Sequence, residues 1–205
     1  NAINWAWDQG GADILHNSWT YDGTQILDVV KNAINNAYTN GRNGKGCVVV
    51  FSSGNYHPDG SSTVKFNGVA FPANLPNVIA VGAVARDGNI SLYSSRGPEI
   101  DLVAPSGQNG VPDVWTIDRM GAAGYSTGNY TSSFSGTSAA APEVSGVAAL
   151  GLAKFPNLTA AEVKNLLIQN ATDMGPMGFD NTFGYGRVNA SAALLSGPSL
   201  IEGPS

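Results

Sequence analysis

Cysteine is almost absent. Cys47 is the only one in 205 residues, so no disulfide can close within the chain, and a lone thiol leaves the redox compartment open. Histidine is scarce, with His16 and His57 alone, which confines imidazole chemistry to two positions. Charged residues make up only 12%, and acids outnumber bases by 15 to 10. A net charge of −5 offers no basic footprint for nucleic acid. No apolar run nears the roughly 20 residues of a membrane-spanning helix, so neither nucleic acid nor membrane is expected as a partner. Internal repeats and low-complexity tracts are also lacking.

What is abundant is apolar and small. Hydrophobic residues reach 42%, enough to bury a substantial core, and 26 glycines suit tight turns and close backbone approaches. One domain is expected over residues 1–196, followed by a tail, GPSLIEGPS, at 197–205. The chain opens on AINWAWD, whose apolar stripe reads as a helix stopped by Gly10-Gly11. A helix entered without an N-cap predicts that an upstream segment is missing.

Residues 12–18 read as a short strand, and about 24–39 as a helix with Leu27, Val30, Ile34 and Ala37 at helical spacing. Cys47-Val-Val-Val-Phe51 and Asn77–Val84 are unbroken apolar runs rich in β-branched residues, as in strands buried on both faces of a parallel sheet. Residues 101–104 form a shorter strand ended by Pro105. From Thr137 the chain reads as a helix, with Pro142 near its first turn, where a missing N–H does least harm. Thr159 and Glu162 form a capping box before another helix. Strands alternating with helices define the expected fold class: α/β, a largely parallel sheet covered by helices. Residues 52–76 and 106–134 read as long loops rich in Gly, Ser, Asn and Pro, the kind that form binding sites.

Ser135-Gly-Thr-Ser138-Ala-Ala-Ala-Pro142 sets a serine at a helix start after a glycine turn. Unpaired N–H groups and the helix dipole there would stabilise a negative oxygen beside Ser138. An ordinary serine near an N-cap has the same local pattern.

The longer string decides between them. Gly136-Thr137-Ser138 with Ala139-Ala-Ala-Pro142 and Val144-Ser145-Gly146 resembles the nucleophile motif of the subtilases, subtilisin-like serine proteases. The resemblance implies that Ser138 is the nucleophile. Val48-Val-Val-Phe-Ser52-Ser53-Gly54-Asn55 is similar to the strand and loop carrying the oxyanion-hole asparagine, which makes Asn55 the candidate donor. Residues 12–19 resemble the strand forming one wall of the substrate groove. That implies substrate-binding roles for Ser18, Trp19 and Thr20, with Ser52, Ser53 and Gly54 opposite. Phe71-Pro72-Ala73, Val81-Gly82-Ala83 and Ser94-Ser-Arg-Gly-Pro98 are further strings of the family, while Ser18-Trp19 and the 41–46 loop resemble its kexin-like branch.

The family's aspartate and histidine motifs precede the region that this chain resembles, so the expectation is a subtilisin-like fold incomplete on its N-terminal side. The strand at 12–18 would then have an open edge, to be covered by a second piece of the protease or another copy. His16 is expected to line the groove or serve structure, and His57 to sit in a loop. Asp22-Gly23, Asp59-Gly60 and Asp87-Gly88 read as turns. No cofactor is assigned. The resemblance allows structural calcium, with Asp22, Asp59 and Asp113 as available carboxylates, but no dedicated loop spacing marks a metal site. A polypeptide substrate and a secreted or cell-surface location are family implications. Two functions stand: endopeptidase chemistry, with the isolated chain inactive, or a non-catalytic peptide-binding or assembly module. An acyl hydrolase of another fold is disfavoured, because Gly-x-Ser-x-Gly is absent at Ser138.

Overall fold

A computed structural model describes residues 2–21, 27–56, 68–108 and 114–196. The first helix, α1, runs Ala2–Asp8 and leads into strand β1, Ile14–Asn17. Helix α2 is Asp28–Asn40; residues 22–26, where its start was expected, lie outside the described residues, as do His57, Asp59, Asp113 and the 197–205 tail.

Strands β2 (Val48–Ser52), β3 (Ile79–Val84) and β4 (Leu102–Pro105) join β1 in one four-stranded sheet, ordered β1-β2-β3-β4 and parallel throughout. Every residue of β2 and β3 is buried, as their unbroken apolar runs require. Side chains alternate between two cores. Val48, Val50, Ile79, Val81, Leu102 and Ala104 face one side. Val49, Phe51, Ala80 and Ile100 face the other, where Ile34 and Ala37 of α2 pack.

Helix α3, Thr137–Lys154, lies across the first face beside α4, Ala160–Gln169, and α5, Ala190–Ser196. Its alanines let the backbone come close to the sheet: Ala139, Ala140, Ala141 and Ala148 are all buried. The capping box holds, with Thr159 Oγ1 accepting from Glu162 N at 3.2 Å and Thr159 N donating to Glu162 Oε2 at 2.7 Å. Asp87 turns the chain as expected, accepting from Asn89 N at 3.0 Å ahead of Gly88.

Two expectations need correction. The stretch 106–134 is not wholly irregular: β5 (Val114–Ile117) and β6 (Tyr130–Phe134) pair antiparallel. The pair escapes a burial-based reading because Trp115, Ile117 and Tyr130 are exposed, so no apolar face marks it as sheet. Pro142 also does more than fall in a harmless first turn. It is the sixth helical residue of α3, and its missing N–H is the one that would have bonded the carbonyl of Ser138.

Among the described residues β1 hydrogen-bonds only β2, so it is an edge of the sheet. The neighbouring surface of α3 carries Pro142, Gly146, Ala149 and Leu150, all exposed.

Candidate active site

The chain leaves β1 and β2 at their carboxyl ends on the same side of the sheet, beside the N-terminus of α3. A crevice at strand carboxyl ends is the usual ligand position in α/β folds. Here it is a cleft of about 260 Å³ lined by Ser18, Trp19, Thr20, Ser52, Gly54, Asn55, Thr137 and Ser138. Seven of the eight residues singled out from the sequence therefore meet around one space.

Ser53 does not join them. Its side chain is fully buried and its hydroxyl points to the carbonyl of Ser95 at 3.5 Å. Alternation along the end of β2 explains this: Ser52 and Gly54 face the cleft, and the residue between them turns away.

Gly54 has φ +112, a conformation that side chains rarely tolerate, and it swings the chain out so that Asn55 faces α3. Asn55 Oδ1 accepts both the backbone N–H and the hydroxyl of Thr137, each at 2.9 Å. Thr137 N–H is one of the orphan donors of a helix start, so Asn55 caps α3 from a different element. These two bonds also orient the amide. With Oδ1 committed to α3, Nδ2 is its hydrogen-bond donating end.

The turn before Ser138 is held just as firmly. Gly136 has φ +89 and ψ 167, a region nearly restricted to glycine. A Cβ there would sit 3.2 Å from Asn55 Nδ2. The Gly136 N–H donates to Tyr93 Oη at 3.0 Å, and its carbonyl accepts from Ser106 Oγ at 3.0 Å. Tyr93 Oη and Ser106 Oγ are themselves 2.9 Å apart. Tyr93 and Ser106 carry no motif of their own in the sequence, although Tyr93 immediately precedes the Ser94–Pro98 string, and Thr137 is read there only as the helix start and a member of the Gly136-Thr137-Ser138 motif.

Ser138 is partly exposed, and its hydroxyl donates to the carbonyl of Ser18 at 3.4 Å. In return Ser18 Oγ donates to the carbonyl of Ser138 at 3.0 Å. Trp19 packs edge-on against Phe51 with ring centroids 5.1 Å apart, and its indole N–H donates to Asn17 Oδ1 at 3.0 Å. His16 lies one turn of polar contacts away, 2.9 Å from Ser18 Oγ through Nε2. Burial holds His16 below its ordinary value.

The described residues contain no group of three or more His, Cys, Asp or Glu able to hold a metal ion. The buried carboxylate best suited to a cation, Asp101, already has one. Lys164 Nζ lies 2.8 Å from its Oδ1 and 2.8 Å from the carbonyl of Val78. The donor set there fits an ammonium, not a metal. Burial raises the Asp101 carboxyl, and Lys164 partly opposes that.

Parallel sheet, glycine turn before Ser138 and asparagine-capped helix together define a subtilisin-like fold. The family model described as the subtilase family matches residues 1–186, and the chain belongs to that family of serine proteases. It is 36% identical over 219 residues to a calcium-dependent protease of Trichormus variabilis (strain ATCC 29413 / PCC 7937), covering 91% of this chain and 32% of the relative. It is 36% identical over 193 residues to subtilisin DY of Bacillus licheniformis, covering 94% of this chain and 60% of the relative. Subtilisin E of Bacillus subtilis (strain 168) is 33% identical over 195 residues, covering 94% and 43%. The chain thus spans between a third and three-fifths of the length of these relatives. The kexin-like traits read at Ser18-Trp19 and in the 41–46 loop gain no support from them.

Proposed function

We propose that this chain carries the nucleophile half of a serine endopeptidase site. Ser138 Oγ attacks a peptide carbonyl. Asn55 Nδ2 and the backbone N–H of Ser138 donate to the oxygen as it becomes negative, at the positive end of α3. Ser18 to Thr20 and Ser52 to Gly54 form the walls along which an extended substrate would pair as an added strand. The observation that carries this reading is the lock of Asn55 Oδ1 on Thr137, which holds Asn55 in the wall of the cleft beside Ser138 and leaves Nδ2 as the amide's donor end.

Attack also requires a base to take the hydroxyl proton and a carboxylate to orient that base. We assign both to a segment outside this sequence, a second piece of the protease or another copy, seated along the open edge of β1 and the exposed face of α3. On this reading the isolated chain does not turn over peptides. The calcium dependence named for the relative from Trichormus variabilis has no assigned counterpart in the described residues. Export to the cell exterior fits the family reading.

A fluorophosphonate probe tests the proposal. The complete protein should label at Ser138 and lose all labelling in Ser138→Ala, while the isolated chain labels far more slowly. Absence of labelling in the complete protein would defeat the catalytic reading and favour a peptide-binding module. A monomeric isolated chain, stable by light scattering with nothing bound, would count against the missing-piece assignment.

A further inference from the structure

The carbonyl of Ser138 lacks its helical partner. Four residues on stands Pro142, which has no N–H to give. The hydroxyl of Ser18 fills that place from the end of β1 at 3.0 Å. Ser18 is in turn the last member of a chain of contacts. Its Oγ is 2.9 Å from His16 Nε2; His16 Nδ1 is 3.1 Å from Ser145 Oγ; and Ser145 Oγ is 3.1 Å from the carbonyl of Ala141.

Counting hydrogens decides how this chain is wired. There are four contacts. A neutral imidazole supplies one hydrogen and the two serine hydroxyls supply one each, so one contact must go without. The carbonyl of Ala141 can spare its hydroxyl, because the backbone N–H of Ser145, four residues on, is its helical partner. The carbonyl of Ser138 has no such helical reserve, and only Ser18 or solvent can serve it. The cheapest arrangement therefore has Ser145 donating to Nδ1, Nε2–H donating to Ser18, and Ser18 donating to Ser138. The opposite tautomer leaves Nε2 with no hydrogen to give, so the exposed Ser18 hydroxyl is shared between Nε2 and the Ser138 carbonyl and is no longer held on the carbonyl alone.

We propose that His16 is a positioning residue for the nucleophile: as the Nε2–H tautomer, selected by Ser145, it holds the Ser18 hydroxyl on the carbonyl of Ser138. The proposal deepens the protease reading and rests on it only for its effect on rate. Partial burial lowers the pKa of His16, which favours the neutral ring, and the tautomer of that ring then matters. The charged residues of the surrounding elements, Asp8 on α1, Asp13 ahead of β1 and Glu143 and Lys154 on α3, add nothing to that shift; Asp13 is paired with Arg42 at 3.5 Å. The hydrogens all point one way along the chain, which strengthens each link.

The test combines nitrogen NMR of ¹⁵N-histidine-labelled protein at pH 8 with the rate of fluorophosphonate reaction at Ser138. The Nε2–H tautomer is expected at His16, and an Nδ1–H tautomer would overturn the proposal. Ser145→Ala should weaken the tautomer bias, and Ser145→Ala and Ser18→Ala should each slow the reaction by about two- to tenfold, the worth of one net hydrogen bond. Pro142→Ala restores the missing N–H, so Ser18→Ala should lose its effect in that background. An equal loss with and without Pro142 would overturn the proposal, since a merely structural serine would not respond to residue 142. A wild-type Ser138 that never reacts defeats the protease reading alone; the tautomer still decides this one.

Discussion

Asn55 has two jobs on opposite ends of one amide, and a pair of substitutions separates them. Asn55→Asp keeps an acceptor for the N–H and hydroxyl of Thr137, both now at 2.9 Å from Oδ1. It adds a negative charge at a helix N-terminus, worth about 0.3–1 kcal/mol of stability. It removes the amide's N–H donor, which on the oxyanion reading should cost about 10²–10³ in reaction rate at Ser138. Asn55→Leu removes both ends. Thr137 is fully buried, so its stranded N–H should cost about 1–3 kcal/mol of stability on top of the same loss of rate. The assays are urea unfolding and the fluorophosphonate reaction rate in the complete protein. The expected pattern is a stable, slow Asp variant and an unstable, slow Leu variant. An Asp variant that reacts at the wild-type rate would refute the oxyanion role. A Leu variant as stable as the Asp one would refute the cap.

Gly136→Ala forces a side chain into φ +89 and against Asn55, and it should cost about 1–3 kcal/mol in unfolding free energy together with reactivity at Ser138; wild-type values for both would show that the turn is not strained. Glu143, half-buried on α3, is lifted from 4.5 to about 7 by burial. The folded chain therefore binds this proton more tightly than the unfolded chain. Its contribution to stability is complete below pH 4.5 and is lost as pH rises through about 7. Full linkage of that shift would be about 3 kcal/mol, and partial solvent exposure reduces the expectation to about 1–2 kcal/mol. Glu143→Gln should flatten this slope in chemical unfolding between pH 4.5 and 8; an unchanged slope would contradict it. Lys164→Met strands the Asp101 carboxylate and should cost about 2–4 kcal/mol at neutral pH. The cost should shrink on acidification as Asp101 takes up a proton, and adding Asp101→Asn should recover most of it. A pH-independent loss in thermal unfolding would argue against the ion pair.

The parallel sheet was legible because its interior strands carry an unmistakable signature. Val48–Phe51 and Ile79–Val84 have no polar face to hide, and only a sheet covered on both sides accommodates that. The capping box at Thr159 was equally plain, because both partners lie three residues apart. The hairpin at 114–134 was not legible: its aromatic residues point outward, and exposure leaves no periodic trace. Ser53 shows the same limit at the site, since the string Ser52-Ser53-Gly54 does not say which serine faces the cleft.

Local order along the chain determined which residues were candidates: a serine after Gly-Thr, an asparagine after Ser-Gly, a groove strand ending in Ser-Trp. Those are short-range patterns, written in neighbouring residues. Tertiary structure alone decided how Asn55 turns its amide, that Tyr93 and Ser106 grip Gly136, and that Ser18 stands in for the N–H missing at Pro142. Each of those contacts joins residues from 30 to 120 positions apart. A hydrogen bond depends on where two atoms sit in space, and separation along the chain carries no trace of it until the sheet has brought them together.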